Sequence, residues 1–233
     1  MGVGEAPDLK PIGLQPLEIG QGLDAEQWAE QEFGGAKLGN SRLTERLVSS
    51  ARVLGAMPGR TLGGASQGDW PAVKGFYRMI DKPDDSALNA ASILAPHRAR
   101  TIQRMMTQTT VLCIQDGTDL NYNRLDLCEG LGVLSKNQTG AQTRGLHLHS
   151  TFAVTTEGLP LGVLGAQFSA PKPKDQTDTR KAMNTPIEEK KTFAWIEGYR
   201  ACVELDKQLP QTRQICVMDR EADFFELFDE QRQ

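Results

Sequence analysis

No apolar run in this 233-residue sequence approaches the ~18–20 residues needed to cross a bilayer. The N-terminal stretch MGVGEAPDLKPIGLQPLEIGQG has neither the basic start nor the continuous apolar segment of a secretory signal. Cysteine is scarce: Cys113, Cys128, Cys202 and Cys216 lie far apart and form no C-x-x-C pair. That spacing argues against a zinc ribbon or a thioredoxin-like redox site. Cys113 and Cys216 sit inside apolar runs and are expected to act as small buried hydrophobes. Repeats and low-complexity tracts are missing, which excludes collagen-like, mucin-like and coiled-coil chains. The expectation is a soluble cytoplasmic protein with reduced thiols and no membrane partner.

Apolar residues make up 39% and charged residues 24%, so a buried core is attainable in one large domain or in one domain with a small satellite. The net charge of −4 is unevenly spread. Residues 1–39 hold seven acids and two bases, whereas residues 40–110 hold ten bases and five acids. Residues 111–233 return to an acidic balance, with 14 bases and 18 acids. A basic segment inside an acidic chain is a candidate polyanion footprint. It also fits an ordinary solvated set of helix faces.

Three regions are expected. Residues 1–23 are rich in Gly and Pro and read as an N-terminal arm. Residues 24–108 read as a helical domain. After Asn40, a plausible N-cap, Leu43, Leu47, Ala51 and Leu54 recur at helical spacing, and Arg42 and Arg46 share another face. Pro58–Gly68 reads as a loop. A helix after Asp69 is expected to bury Val73, Phe76 and Ile80 and to carry Lys74 and Arg78 one turn apart. Trp28 and Trp70 read as core anchors. Residues 86–107 form a further helix, interrupted near Pro96. Residues 109–233 switch to a mixed α/β pattern. TVLCIQ (110–115) reads as a strand ending at Asp116-Gly117. LHLHSTFAV (146–154) and LPLGVLGAQF, separated by a turn at Glu157-Gly158, read as an antiparallel hairpin. A polar loop over 170–186, a helix over 188–207, a strand over 213–218 and a final amphipathic helix complete the pattern.

Asp116 and Asp219 stand out because each follows a short hydrophobic strand. If those strands are neighbours, both carboxylates emerge at one sheet edge. Paired carboxylates with water and substrate phosphate suit Mg²⁺, and two such ions ~3.5–4 Å apart serve phosphodiester cleavage. A strand ending in Asp-Gly is also a common simple turn. Asp119 is a rival first ligand but is expected beyond the strand end, facing solvent or capping the turn. His147 and His149, at i and i+2, fit either a metal pair or hydrogen-bonded core histidines. Arg144 and Arg220 suit a bidentate phosphate clamp or a structural ion pair. Trp195, Phe193 and Tyr199 read as packing residues.

The surrounding residues carry a resemblance. Asp219-Arg220-Glu221-Ala222-Asp223 resembles the DREAD-like signature of bacterial DDE transposases of the Tn-five type, in the IS-four group, and Ile114-Gln115-Asp116-Gly117-Thr118 resembles their I-x-D-x-T strand end. Arg144-Gly145 with His149-Ser150, and Glu189-Lys190 with Trp195, are similar to the segments between those acids. Ala36-Lys37-Leu38-Gly39-Asn40 with Arg42 and Arg46-Leu47 resembles the family's end-binding element. Gly75-Phe76-Tyr77-Arg78 with Lys82-Pro83 is similar to a second block of that domain.

The resemblance implies a ribonuclease-H-like mixed-sheet core, here truncated, behind a small helical DNA-binding domain. It implies Mg²⁺, or Mn²⁺ in its place, on Asp116 and Asp219, and duplex DNA (transposon ends and target) as partner. Arg42, Arg46, Lys74 and Arg78 would contact DNA, with Arg144 and Arg220 as further candidates. The family's third ligand, a glutamate in a Y-x-x-R-x-x-x-E-x-x-x-x-x-x-K helix, has no counterpart after Asp219. Glu221 and Asp223 do not replace it, and position 191 is Lys where the related helix usually carries an acid. The expectation is a truncated chain that lacks the family's dimerisation region and is inactive alone. A non-catalytic end-binding protein or transposition inhibitor is the alternative, and an unrelated metal-dependent phosphodiesterase a third reading.

Overall fold

Capping side chains set where the helices of the first unit begin. In the computed structural model, which describes residues 14–17, 27–83, 85–123, 128–136, 140–171, 185–230 and 232, the chain divides into two units, Met1–Thr107 and Gln108–Gln233. Apart from residues 14–17, the expected N-terminal arm lies outside the described residues, as does most of the expected 170–186 loop.

The first unit contains α1 (Trp28–Phe33), α2 (Ser41–Ala56), α3 (Leu62–Ala65), α4 (Trp70–Ile80) and α5 (Ala90–Met105). Asn40 Oδ1 accepts from Leu43 N–H, Thr61 Oγ1 from Gly64 and Asp69 Oδ1 from Ala72, each meeting a donor that the first helical turn leaves unpaired. Asn89 and Ser92 form a reciprocal capping box at the start of α5. Pro71 in the first turn of α4 removes no helical hydrogen bond. The expected Pro58–Gly68 loop is corrected, because Thr61 caps the one-turn α3 within it.

Ala36, Leu38, Leu47 and Met79 form the core here, with Phe33, Leu43, Phe76, Leu88 and Ile93 against them. Two expectations about α4 fail. Met79, 1% exposed, takes the buried place assigned to Ile80, which is 48% exposed. At ~100° per residue, position 80 lies within ~20° of the buried Val73, so helical angle does not account for the exposure of Ile80, the last residue of α4. Trp70 is no core anchor, being 66% exposed. Trp28 does pack inward: a Cβ on Gly55 of α2 would collide with the Trp28 indole.

The second unit contains β1 (Thr110–Asn121), β2 (Gly132–Lys136), β3 (Gln142–Thr155), β4 (Pro160–Ser169), α6 (Phe193–Asp206), β5 (Arg213–Val217) and α7 (Phe225–Glu230). Short 3₁₀ turns stand at Ile187–Glu189 and Arg220–Ala222. β1 extends past Asp116-Gly117 because Ser150 and His149 of β3 pair across those two residues. Asp116 therefore lies within a strand and not at its tip, and Asp119 lies within it too. α6 starts at Phe193, later than expected, because the preceding 3₁₀ turn ends at Glu189. β2 was not expected. The β3–β4 hairpin forms as its sequence suggests, with Gly158 at positive φ in the turn.

β3 pairs antiparallel with β1 along one edge and with β2 and β4 along the other, while β5 joins the far side of β1 in parallel. Helices followed by this mixed five-stranded sheet make an α/β chain, consistent with a ribonuclease-H-like core. Strand alternation sends Val111, Cys113 and Gln115 to a buried face. α6 lies on that face, with Trp195 against His149 and Gly198 against Gln115. Ile215 and Val217 point to the other face, each 38% exposed. Trp195, Ile196, Ala222 and Leu227 form a cluster with Phe193 and Tyr199, so the aromatic residues of α6 serve packing. Cys113 and Cys202 are buried, Cys216 is half-buried, Cys128 is exposed, and none of the four forms a disulfide. No helix among the described residues is long and apolar enough to cross a membrane.

Candidate functional site

The parallel pairing of β1 with β5 determines where Asp116 and Asp219 stand. Thr110 lies opposite Arg213, and the rungs run in step to Ile114 opposite Val217. Asp116 lies on β1 two residues past the last paired rung, and Asp219 lies two residues past it beyond the end of β5, as the N-cap of the following 3₁₀ turn. Alternation gives Asp116 the face of Ile114. β5 ends at Val217, so both acids sit where the parallel ladder opens.

Both carboxylates are exposed. Asp116 Oδ1 accepts from the Gly117 N–H at 2.8 Å, and Asp219 Oδ1 caps the following 3₁₀ turn by accepting from Glu221 N–H at 2.8 Å. These local bonds orient each carboxylate and use one oxygen. The remaining oxygens make a donor set suited to a hard cation that keeps water and takes further ligands from phosphate. Among the described residues no group of three or more His, Cys, Asp or Glu side chains is placed to hold a metal. Two carboxylates without a third protein ligand do not make a closed metal site.

Asp119 is engaged elsewhere. Its Oδ1 meets His147 Nδ1 at 2.9 Å and Lys191 Nζ at 3.0 Å. Burial pushes the Asp119 pKa up, but hydrogen bonds from His147 and Lys191, and the lysine charge, outweigh it and hold the group below the ordinary carboxylate range. His149 is buried, with Nε2 3.0 Å from Gln115 Oε1 and its ring edge-on to Trp195 at 4.6 Å. Burial, with His147 close by, lowers its pKa to about 4, so it is a neutral core histidine. Lys191 was not foreseen as a partner of Asp119. A lysine at a position where a related helix carries an acid was the available signal.

Arg144 is exposed at the start of β3, with Nη2 3.4 Å from the Leu131 carbonyl. Arg220 follows Asp219 in the 3₁₀ turn and is exposed. In the first unit, Arg42 and Arg46 lie one turn apart on α2, and Lys74 and Arg78 one turn apart on α4; all four are exposed. Gly75 leaves room for Arg46, whose Nε stands 3.5 Å from where a Cβ would sit. This close approach brings Arg46 of α2 against α4. Arg46, Lys74 and Arg78 thus lie in the first unit, and Asp116 and Asp219 in the second.

Comparison with known families bears on the first unit. Residues 25–84, the segment that carries Arg42, Arg46, Lys74 and Arg78, match the family model described as transposase DNA-binding, which supports a transposase or transposon DNA-binding role with DNA as the partner.

Proposed function

We propose that this chain is a DDE-type transposase of the Tn-five kind, in which the helical unit grips transposon ends and the sheet unit presents Asp116 and Asp219 to Mg²⁺ or Mn²⁺. The observation that carries the reading is the transposase DNA-binding match over residues 25–84; it is supported by two exposed aspartates in the same chain, each two residues past the last rung of the parallel β1–β5 ladder. Arg42, Arg46, Lys74 and Arg78 neutralise backbone phosphates, and Arg144 and Arg220 offer guanidinium forks to phosphate near the sheet edge. Asp116 and Asp219 would hold the metal, each oriented by the backbone N–H on its other oxygen. Bound there with the scissile phosphate, the metal would stabilise developing charge and favour ionisation of an attacking hydroxyl.

Two carboxylates fall short of the three that the resemblance implies, and no third acid joins them among the described residues. The 233-residue chain is therefore expected to bind ends without cutting them alone. The same observation favours a second reading, a non-catalytic end-binding protein that competes with active transposase. Electrophoretic mobility shifts with duplexes drawn from the flanks of the source reading frame test the binding. The expected result is affinity that falls steeply with salt, the log–log slope flattening by ~0.9 for each of Arg42→Ala, Arg46→Ala, Lys74→Ala and Arg78→Ala. Salt-independent binding, or none, refutes the DNA-binding role. A Mg²⁺-dependent nick at those flanks, lost in Asp116→Ala, refutes the inability to cut.

A further inference from the structure

We infer that Trp70 and Tyr77 read the DNA: α4 lays its outer face in the major groove, and these two rings contact base edges there while Lys74 and Arg78 hold the phosphates. The inference rests on the DNA-binding reading above and adds to it the surface that distinguishes one sequence from another.

Exposed apolar side chains gathered on one face and rimmed by charge mark interaction sites. Trp70 is 66% exposed and Tyr77 57%. At ~100° per residue, positions 70, 74, 77 and 78 fall within an arc of about 100°, so Trp70, Lys74, Tyr77 and Arg78 share one face. Met79, opposite Trp70 on the helix, and Val73, at the edge of the arc beside Tyr77, turn into the core. The face is held rigidly. Asp69 caps its first turn, Pro71 fixes the backbone beside Trp70, and Tyr77 meets Phe76 edge-on at 5.9 Å.

Charge decides between partners. The helix sequence WPAVKGFYRMI contains no acid, and both of its cations lie among the exposed rings. Arg46 of α2 adds a third cation against α4. A face with two cations and no acid, joined by a third cation, matches the charge of a polyphosphate duplex. Trp70 and Tyr77 are seven residues apart, ~10.5 Å along the axis at 1.5 Å per residue. That is about three base-pair steps of ~3.4 Å, and a helix fits a major groove ~12 Å wide. The rings are thereby spaced to meet thymine methyls or base edges on separate steps, contacts that phosphate-binding cations do not supply.

The test uses the full chain, a duplex pool with a randomised central block, and the duplexes that wild type enriches from it. Trp70→Ala and Tyr77→Ala are each expected to weaken binding to an enriched duplex on the order of tenfold, with the salt slope unchanged and binding to unselected DNA nearly unchanged. Lys74→Ala is expected to weaken both equally and to flatten the slope by ~0.9. Trp70→Phe retains part of the preference. Trp70 is the exposed one of three tryptophans, so its fluorescence should change on duplex addition, and Trp70→Phe should abolish that change. Because both rings are exposed, circular dichroism of the alanine variants should match wild type. If wild type enriches and binds a duplex but Trp70→Ala and Tyr77→Ala bind it as wild type does, this inference fails and the DNA-binding reading stands. A Trp70-dependent self-association in place of DNA selectivity also overturns it. If wild type binds no duplex, both readings fall.

Discussion

Replacing Glu32 with Gln tests the physical basis of the helical unit. Glu32 of α1 is 3% exposed and lies against three bases of α5. Its carboxylate meets His97 Nδ1 at 2.6 Å, Arg100 Nε at 3.1 Å and Arg104 Nη1 at 2.7 Å. Arg104 is itself 2% exposed. Burial pushes the Glu32 pKa up, but hydrogen bonds from His97 and Arg104 and the charge of Arg104 overcome it, bringing the group from 4.5 down to about 2. The folded state therefore favours the ionised form. Its stabilisation is complete above pH ~4.5 and disappears as pH falls towards ~2, and by linkage it amounts to about 3 kcal/mol. Glu32→Gln keeps the shape and removes that contribution. Glu32→Ala goes further, removing the hydrogen-bond acceptor as well as the charge beside the buried Arg104, a change that costs ~3–5 kcal/mol in comparable sites. At roughly 4–8 °C per kcal/mol for a small domain, Glu32→Gln should lower the Tm of the helical unit by about 12–24 °C at neutral pH. Hydrogen exchange at the amides of α1 and α5, followed with pH, isolates this unit from the sheet unit. The expected result is faster exchange in Glu32→Gln at neutral pH and no additional loss of its protection between pH ~4.5 and ~2. Wild-type and variant profiles of the same shape and height across that window would refute the reasoning.

Other perturbations have equally definite outcomes. His149 is neutral in the fold and has a pKa of about 4 against an ordinary 6.5, so the unfolded chain takes up its proton first and stability should fall as pH drops from ~6.5 to ~4. Thermal melts of His149→Gln should lose much of that dependence. Gly198→Ala places a Cβ against the Gln115 amide and should cost ~1–3 kcal/mol through displaced packing, read by chemical denaturation of the sheet unit. A melt indistinguishable from wild type would show that Gln115 swings aside freely. Asp119→Asn should change stability by under ~1 kcal/mol because its pairs with His147 and Lys191 are partly exposed. In titrations with Mn²⁺ and a phosphate-bearing duplex it should behave as wild type, whereas Asp116→Asn should not.

The parts of the fold that follow local chemistry were readable from the sequence. Asn40 and Asp69 start their helices because each side chain meets a backbone donor within its own turn. The β3–β4 hairpin follows from its alternation and from Gly158 at the turn. What could not be read depends on distant partners. Asp116-Gly117 looks like a turn until β3 pairs across it. That Asp116 and Asp219 follow the same ladder depends on the register of two strands about a hundred residues apart, which periodicity does not encode. Trp70 is a different lesson. Its size suggested a core anchor, but it stands opposite the buried Met79 on the helix and faces outward with Lys74 and Tyr77. Lys191 found Asp119 across the unit, a pairing no local rule anticipates.

The most direct test of the proposed carboxylate site is duplex affinity with and without Mg²⁺, for wild type and for Asp116→Asn combined with Asp219→Asn. If the two aspartates hold a cation shared with DNA phosphate, Mg²⁺ should tighten wild-type binding several-fold. The double variant, freed of two negative charges near the duplex, should bind at least as well without Mg²⁺ and gain nothing from it. A double variant that responds to Mg²⁺ as wild type does would contradict the site.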